Sequence, residues 1–201
     1  MEHVRADALP FDPRPQMGMI FADGFYQWLK VFSKDKERLA GAFAHIFDLS
    51  CFYLAMQDGE IAALAACTGG KPPPIRLDKK ILRRTLGLLR GSLAFVMLNK
   101  HLVNHTYPFA LSPQTGSIEF VATAPAHRGK GAAHALIEQM MHILPYDEYI
   151  LEVADNNSSA IRLYEKLGFA AFKRTPAPKG SGMTHFVYMK RDRPPPHTQT
   201  P

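Results

Sequence analysis

Two segments of the sequence combine residue types and spacing that suit chemistry on a phosphate-bearing ligand. The first, SIEFVATAPAHRGKGAAHALIEQMM (residues 117–141), passes from an alternating segment through Pro125 and small and basic residues into an amphipathic helix. The N–H groups that begin a helix have no intrahelical acceptor and carry partial positive charge. Small residues let a phosphate approach these groups closely. The segment therefore predicts a diphosphate site.

The diphosphate prediction depends on four small residues and two basic neighbours. They are Gly129, Gly131, Ala132 and Ala133, with Arg128 and Lys130. From this segment alone, a strand-to-helix turn that needs glycine for its own geometry stays an alternative. Neither common nucleotide-binding pattern is present, because the sequence lacks GxxxxGK[ST] and the spacing here is not GxGxxG.

The second segment, LEVADNNSSAIRLYEKLGF (residues 151–169), is a strand followed by a capped helix. Asn157 is placed to cap the helix, and Gly168 stands where a left-handed C-terminal residue is favoured. A helical stripe is formed by Ala160, Leu163, Tyr164 and Leu167. By periodicity alone, Tyr164 is an aromatic residue of the core.

Together the two segments resemble the signatures of the GCN5-related N-acetyltransferase (GNAT) superfamily. The first signature, [RQ]-x-x-G-x-[GA], is matched by Arg128, Gly131 and Ala133. The second is matched by Asn157, Ala160, Leu163, Tyr164, Gly168 and Phe169. Their order and separation are those of the family, and the resemblance covers about a quarter of the chain.

The resemblance implies an α/β (α+β layered) fold with a central mixed, mostly antiparallel sheet that is splayed between two parallel strands and flanked by helices. Acetyl-CoA is the implied acyl donor, bound at the splay, and the amine is implied to attack the thioester without a covalent enzyme intermediate. The implied contacts are the backbone of Val121, Ala122 and Thr123 for the pantetheine arm, residues 128–133 for the diphosphate, and Asn157, Ala160 and Tyr164. A backbone N–H near Val121 would stabilise the oxyanion.

Two proton transfers complete the implied chemistry. Tyr164 stands where family members often protonate the departing thiolate, and a phenol is normally protonated near neutral pH; packing and cofactor contact are its alternative role. For the base, strand alternation places Glu119 on the face shared by Val121 and Thr123. Two alternatives stay open: Glu119 is a solvent-facing glutamate of the strand, or an ordered water accepts the proton instead.

The remaining sequence predicts one domain over residues 1–190, a helical insert at about 69–116, and a disordered tail over 191–201. Residues 1–16 are predicted as an extended lead-in with a weak first strand. The predicted helices are 17–32, 34–47, 77–90, 92–104, 131–144 and 158–167. The predicted strands are 52–57, 60–68, 117–123, 149–154, 170–174 and 185–190.

The insert contains a basic helix whose role the sequence leaves open. Over 77–90, Lys79, Lys80, Arg83, Arg84 and Arg90 alternate with leucine and isoleucine. A packed helix with a solvated basic face, a lid or acceptor wall for acidic substrates, and contact with a membrane surface or nucleic acid are the alternatives. His101 and His105 have the spacing of helical metal ligands but lack a third ligand, so we expect a surface or core pair and no metal.

Composition narrows the class of protein. No apolar segment approaches the roughly 20 residues that cross a bilayer, and the N-terminus lacks an apolar leader, so we expect no membrane among the partners and no secretion. Cys51 and Cys67 belong to no CxxC pair, which indicates a reducing cytoplasm. The net charge of +6 favours an anionic partner without choosing one.

We therefore expect an N-acetyltransferase that acts on a primary amine of a small molecule, peptide or protein. The alternative is a non-catalytic acyl-CoA-binding module that acts through a protein partner. A nucleic-acid-binding protein is disfavoured because the basic segment has no interleaved aromatic residues. The acceptor is not readable from the sequence, and a homodimer stays an open alternative.

Overall fold

The computed structural model describes residues 1–69, 73–104 and 106–193. The predictions made for His105 and for the tail from residue 194 onward lie outside these described residues. The strands are β1 (Glu2–Arg5), β2 (Phe52–Gln57), β3 (Glu60–Thr68), β4 (Thr115–Thr123), β5 (Glu148–Ala154), β6 (Ala170–Pro176) and β7 (His185–Asp192). The α-helices are α1 (Arg14–Gly24), α2 (Tyr26–Leu29), α3 (Lys36–Phe43), α4 (Lys79–Leu86), α5 (Leu88–Leu98), α6 (Ala132–Ile143) and α7 (Ser158–Lys166).

The seven strands form one mixed sheet in the order β1-β2-β3-β4-β5-β7-β6. Only the central pair β4–β5 is parallel; the other neighbours run antiparallel. This arrangement confirms the predicted mixed, mostly antiparallel sheet flanked by helices. Strand β7 continues to Asp192, which pairs with Glu148 and lies past the predicted boundary at residue 190.

The two faces of the sheet are covered by different helices. On the α1 face, Leu54, Leu64, Ala66 and Ala122 pack with helices α1, α3, α4 and α5. On the α6 face, Ala63, Ala65, Cys67 and Ile118 pack with helices α6 and α7. The predicted apolar side of α6 is buried there, with Leu136, Ile137, Met140 and Met141 almost fully covered. The two clusters hold the central strands between two helical layers.

Two helix predictions differ from the structure where glycine interrupts the chain. The helix predicted over 17–32 breaks after Gly24, where a Cβ would lie 3.2 Å from the Ala122 Cβ of β4. The helix predicted over 77–90 ends at Leu86, because Gly87 adopts φ 89°. The next helix then begins at Leu88 rather than at Ser92. The positive φ of Gly87 and the close approach of Gly24 to β4 depend on the fold, and periodicity alone does not register them.

Helices α4 and α5 pack so closely that Gly91 admits no side chain. A Cβ at Gly91 would lie 2.4 Å from the carbonyl oxygen of Leu82 and 2.5 Å from the Cα of Arg83. We expect Gly91→Ala to lower the free energy of unfolding by about 1–3 kcal/mol, because the α4 backbone must shift. Urea denaturation monitored by circular dichroism measures the change.

Gly41→Ala is the matched control, because a Cβ at Gly41 in the interior of α3 meets nothing within 4 Å. There alanine should raise the free energy of unfolding by roughly 0.5–1 kcal/mol through helix propensity. Equal effects of the two substitutions would contradict the close packing of α4 against α5.

Candidate active site

A cavity of about 890 Å³ opens where the two parallel strands separate. Beyond the pairing of Ser117 with Ile150, the described part of the chain contains no further β4–β5 register pair. The wall of the cavity is formed by the end of α1 and α2, the strands β4 and β5, the turn after β4, and α7. A cleft of this size with a few convergent polar groups is typical of a small-molecule site.

A β-bulge in β4 changes which way its side chains face. Ala66 pairs with Glu119, but the next pair joins Leu64 to Ala122, so two residues of β4 stand opposite one residue of β3. Phe120 lies in this bulge with φ 53°, a conformation that non-glycine residues seldom adopt. Its ring packs against Phe21, Phe25 and Phe52, with centroids 6.1, 6.2 and 6.3 Å away.

The bulge corrects the sequence prediction for the face of Glu119. Glu119 pairs with Ala66 and belongs to the α1 face, whereas Val121 packs with the α6 cluster and Thr123 pairs with Ala63. The predicted shared face is therefore wrong, because strict alternation fails across a bulge. Glu119 still lines the cavity.

Hydroxyl groups surround the Glu119 carboxylate. Its Oε1 accepts a hydrogen bond from Ser117 Oγ at 3.0 Å and from Thr68 Oγ1 at 3.4 Å. The Ser117 hydroxyl is in turn hydrogen-bonded to Tyr107. Burial, and then the negative charge of Glu119, raise the pKa of Tyr107. These contacts fix the position of the carboxylate at the wall of the cavity.

A second carboxylate, Glu152, lies on the neighbouring strand and also lines the cavity. Leu151 and Val153 point into the α6 cluster, so Glu152 between them faces the side of the sheet that carries Glu119. The sequence patterns did not indicate Glu152 as a site residue. The available signal was a lone glutamate in the strand LEVA, flanked on both sides by residues suited to the core.

The N-terminus of α6 is open toward the cavity. Gly131 is the N-cap residue with φ 83°, and no side chain caps the helix. Gly129 has φ 73°, and a Cβ at either glycine would meet nothing within 4 Å. Both glycines are thus required by the backbone of the turn and also leave free space before the first N–H groups of α6. That geometry suits a diphosphate.

The structure gives the basic residues of the turn different roles from those expected. Arg128 forms an ion pair with Asp23 at the end of α1, and Asp23 also binds Lys36. Hydrogen bonds from Lys36 and Arg128 lower the pKa of the Asp23 carboxyl. Lys130 is exposed and does not line the cavity. The helix terminus and Arg128, which is held beside it by Asp23, therefore both contribute positive potential at this end.

The turn after β4 also buries the imidazole of His127. His127 is 9% exposed and lines the cavity, and its Nδ1 has no hydrogen-bond partner among the described residues. A buried polar atom without a partner is uncommon and indicates a bound group or water. This orphaned nitrogen fits a cavity that holds a polar ligand.

Helix α7 forms the opposite wall, with the predicted cap and aromatic residue in place. Asn157 Oδ1 accepts a hydrogen bond from the Ala160 N–H at 3.2 Å, which confirms the cap. Gly168 has the predicted left-handed conformation, with φ 81°. Tyr164 is buried at the cavity wall with its ring edge against Phe169, and burial raises its pKa above the ordinary value of 10.0.

Aromatic residues line the end of the cavity next to Glu119. The break after Gly24 places Phe25 and Trp28 beside Phe120. The ring centroids of Phe25 and Trp28 are 5.9 Å apart, and Trp28 Nε1 is buried without a hydrogen-bond partner among the described residues. This end thus combines an apolar wall, an available N–H donor and nearby carboxylates.

The cavity gathers the predicted site residues with one exception. Lys130 is the exception; Glu119, Val121, Ala122, Thr123, Arg128, Gly129, Gly131, Ala132, Ala133, Asn157, Ala160 and Tyr164 all line the cavity. No described residue of the insert 69–116 lines it. The basic side chains of α4 are exposed while Leu82 and Leu86 are buried, as in the packed-helix alternative.

The described residues provide neither a clustered set of metal ligands nor a membrane-spanning helix. Across residues 1–69, 73–104 and 106–193, no three His, Cys, Asp or Glu side chains are grouped to hold a metal ion. Within the same ranges, no helix has both the length and the apolar character to cross a membrane.

Comparisons with known proteins identify the family. The family model described as Acetyltransferase (GNAT) family matches residues 20–169, so this chain belongs to the GNAT family of acetyltransferases. No curated protein matches the chain by sequence.

Solved structures of acetyltransferases share the fold. An N-acetyltransferase from Staphylococcus aureus Mu50 superposes with a TM-score of 0.59 at 16% identity, over 95% of this chain and 100% of its own. A ribosomal-protein-alanine N-acetyltransferase from Brucella melitensis gives 0.55 at 13% identity, over 96% and 99%. A structure described only as an acetyltransferase gives 0.56 at 18% identity, over 96% and 100%. At these identities the likeness shows a common fold.

Proposed function

We propose that this chain transfers an acetyl group from acetyl-CoA directly to a primary amine. The observation that supports this most strongly is the cavity at the β4–β5 splay. One end of it is the uncapped start of α6, and the other end carries Glu119, Glu152 and an aromatic wall. The anionic cofactor would thus bind at the end with positive potential, and the cationic acceptor at the end with negative potential.

The start of α6 and the unpaired edge of β4 would hold acetyl-CoA, which supplies a thioester as acyl donor. Residues 128–133 offer N–H groups to the diphosphate, with Gly129 and Gly131 leaving space for it. Val121, Ala122 and Thr123 lie past the last β4–β5 pair, so their backbone can bond the pantetheine arm. Asn157 and Ala160 line the facing wall.

Glu119 is the proposed base that prepares the acceptor. An alkyl amine with a pKa near 10.4 is protonated at neutral pH and must lose a proton before it can attack. Glu119, held by Ser117 and Thr68, takes that proton directly or through a water. A backbone N–H of the bulge near Val121 stabilises the oxyanion as the amine adds.

Tyr164 is the proposed acid for the leaving thiolate. Burial raises the pKa of its hydroxyl above 10.0, so the phenol keeps its proton over the whole neutral range. Its position on α7, across the splay from β4, is compatible with donation to a sulfur held between the strands. Collapse of the intermediate breaks the C–S bond, and the phenol proton passes to the thiolate. The added nitrogen loses its second proton as it becomes the amide nitrogen, and that proton restores the phenol.

The acceptor is proposed to be a cation of small-molecule, peptide or protein origin. The carboxylates of Glu119 and Glu152 favour an ammonium group, and Phe25, Trp28 and Phe120 favour an apolar or aromatic neighbour of that group. The proposed setting is the cytoplasm, which agrees with Cys51 and Cys67 being free thiols.

The proposed cofactor site predicts that aspartate at two glycines of similar backbone conformation will have very different effects on coenzyme A affinity. Gly131 (φ 83°) and Gly180 (φ 82°) both have open space at the Cβ position, but only Gly131 lines the cavity. Gly131→Asp should weaken coenzyme A binding by at least about 100-fold, because a carboxylate occupies and repels the diphosphate position. Isothermal titration calorimetry measures the affinity.

Gly180→Asp imposes the same backbone strain away from the cavity and should leave the affinity within about two-fold of the original chain. If Gly131→Asp bound coenzyme A as tightly as Gly180→Asp does, the cofactor would not rest on α6.

The two carboxylates are expected to respond differently to neutralisation. Glu119→Gln should lower kcat with a responsive amine by roughly 100-fold or more, because the proton acceptor is lost. Glu152→Gln should mainly raise the KM for the amine, by about five- to ten-fold, because it removes attraction without removing the base. Thiol release from acetyl-CoA across an amine panel gives both constants. The reverse pattern would assign the base to Glu152.

Tyr164→Phe is expected to lower kcat by about ten-fold or more while coenzyme A still binds. Because burial raises the pKa of Tyr164, its ionisation should cause no loss of kcat below about pH 10 in the original chain. Steady-state rates from pH 6 to pH 10 check both points. Unchanged turnover in the variant would remove Tyr164 from the chemistry.

Coenzyme A binding without turnover on any amine in the original chain would favour a non-catalytic acyl-CoA-binding module.

A further inference from the structure

Helix α5 is apolar on the side that faces solvent as well as on the side that faces the core. Gly91, Ala94 and Leu98 are buried against the rest of the molecule. The opposite side presents a surface that we call the α5 outer face: Leu89, Leu93, Val96 and Met97, with Leu88 at the start of the helix. Leu89 is 88% exposed and Val96 is 62% exposed. An amphipathic helix of a soluble domain normally places polar residues there.

The spacing makes the outer face one continuous stripe. Leu89, Leu93, Val96 and Met97 stand at positions i, i+4, i+7 and i+8, which lie above one another on a helix. Single exposed apolar residues are ordinary, but a contiguous apolar stripe marks a contact surface. Covering the α5 outer face with a partner, and so removing these apolar side chains from water, is therefore favourable.

The net positive charge of the chain is concentrated in the segment that contains this stripe. From residue 79 to residue 118 there are six Lys and Arg residues and no Asp or Glu. Since the whole chain has a net charge of +6, basic and acidic residues balance everywhere else. The six cations are Lys79, Lys80, Arg83, Arg84, Arg90 and Lys100, and all are exposed.

Two helices packed against each other carry the stripe and five of the six cations. Helices α4 and α5 meet at Gly91 in backbone contact, and Leu82, Leu86, Ala94 and Leu98 anchor the pair in the core. The Lys79 Nζ lies 5.8 Å from the Phe95 ring centroid, which brings an α4 cation beside α5. Arg38 on α3 donates a hydrogen bond to the Thr85 carbonyl and fixes the outside of α4. The packing of α4 and α5 thus holds the α5 outer face in place without a bound partner.

We propose that the α5 outer face and the basic side chains beside it dock this protein on the surface of an anionic phospholipid bilayer. Aliphatic side chains enter the boundary between headgroups and acyl chains, and Lys and Arg bind the anionic headgroups. No residue of α4 or α5 lines the active-site cavity, so docking leaves the cavity walls untouched. This inference does not depend on the proposed catalytic function.

Other partners suit this surface less well. A symmetric dimer would place the same patch of each copy, and hence its six cations, against each other. Nucleic acid would use the cations but would gain nothing from five exposed aliphatic side chains. Hot spots of protein interfaces are enriched in Trp, Tyr and Arg and poor in Leu and Val, and residues 79–100 include neither Trp nor Tyr. Anionic lipid headgroups suit the basic side chains, and acyl chains suit the apolar α5 outer face.

Vesicle cosedimentation of the full chain tests the proposal. Vesicles of phosphatidylcholine mixed with phosphatidylglycerol should sediment the protein, vesicles of phosphatidylcholine alone should not, and added salt should release it. Leu89→Ser with Leu93→Ser should reduce partitioning by at least about ten-fold. Arg83→Gln and Arg84→Gln should each reduce it by about five-fold. Ile143→Ser and Val31→Ser, at exposed apolar positions elsewhere, should change nothing.

Thermal melting and coenzyme A titration of each variant verify that the fold is retained. The proposal is overturned if the original chain fails to sediment with the mixed vesicles at low salt, or if the leucine variants sediment as well as the original chain. It is also overturned if the leucine variants abolish a dimer seen by light scattering while vesicle binding is absent, since the outer face would then join two copies. Displacement by a short duplex DNA with no leucine dependence would assign the surface to nucleic acid.

Discussion

Loss of hydrogen bonding between β4 and β5 is the constraint on which the rest of the site depends. Among the described residues the two strands pair from Thr115 to Ser117 and then separate, so the later residues of β4 have no β5 register partner at the centre of the sheet. Backbone groups are costly to bury without partners, so the opening must be filled by water or ligand. The cavity, the uncapped start of α6 and the His127 Nδ1, which lacks a hydrogen-bond partner within the described part of the chain, all belong to this opening.

The bulge at Phe120 links this opening to the packing on the α1 face. The Phe120 ring is held among Phe21, Phe25 and Phe52, and that packing outweighs the strain of a positive φ. The same bulge places Glu119 on the α1 face, within reach of Ser117 and Thr68. Aromatic packing in the core therefore positions the residue that we propose as the base.

What could be predicted from the sequence was local. The cap by Asn157, the left-handed Gly168 and the two strand–turn–helix units follow from neighbours along the chain. The face of Glu119 could not be predicted, because the bulge depends on phenylalanines from other elements. The sequence also shows that α5 is apolar, but only the fold shows that Leu89 and Val96 lie uncovered. Tertiary packing decides each of these points, and no local pattern records it.

The most direct test of the account is to compare two halves of coenzyme A by calorimetry. One is 3′-phosphoadenosine 5′-diphosphate, which keeps the diphosphate, and the other is pantetheine, which lacks it. If the diphosphate rests on the open N-terminus of α6, the first half should keep most of the binding free energy and pantetheine should bind at least about 100-fold more weakly. Equal affinity for the two halves, or tighter binding of pantetheine, would contradict the account.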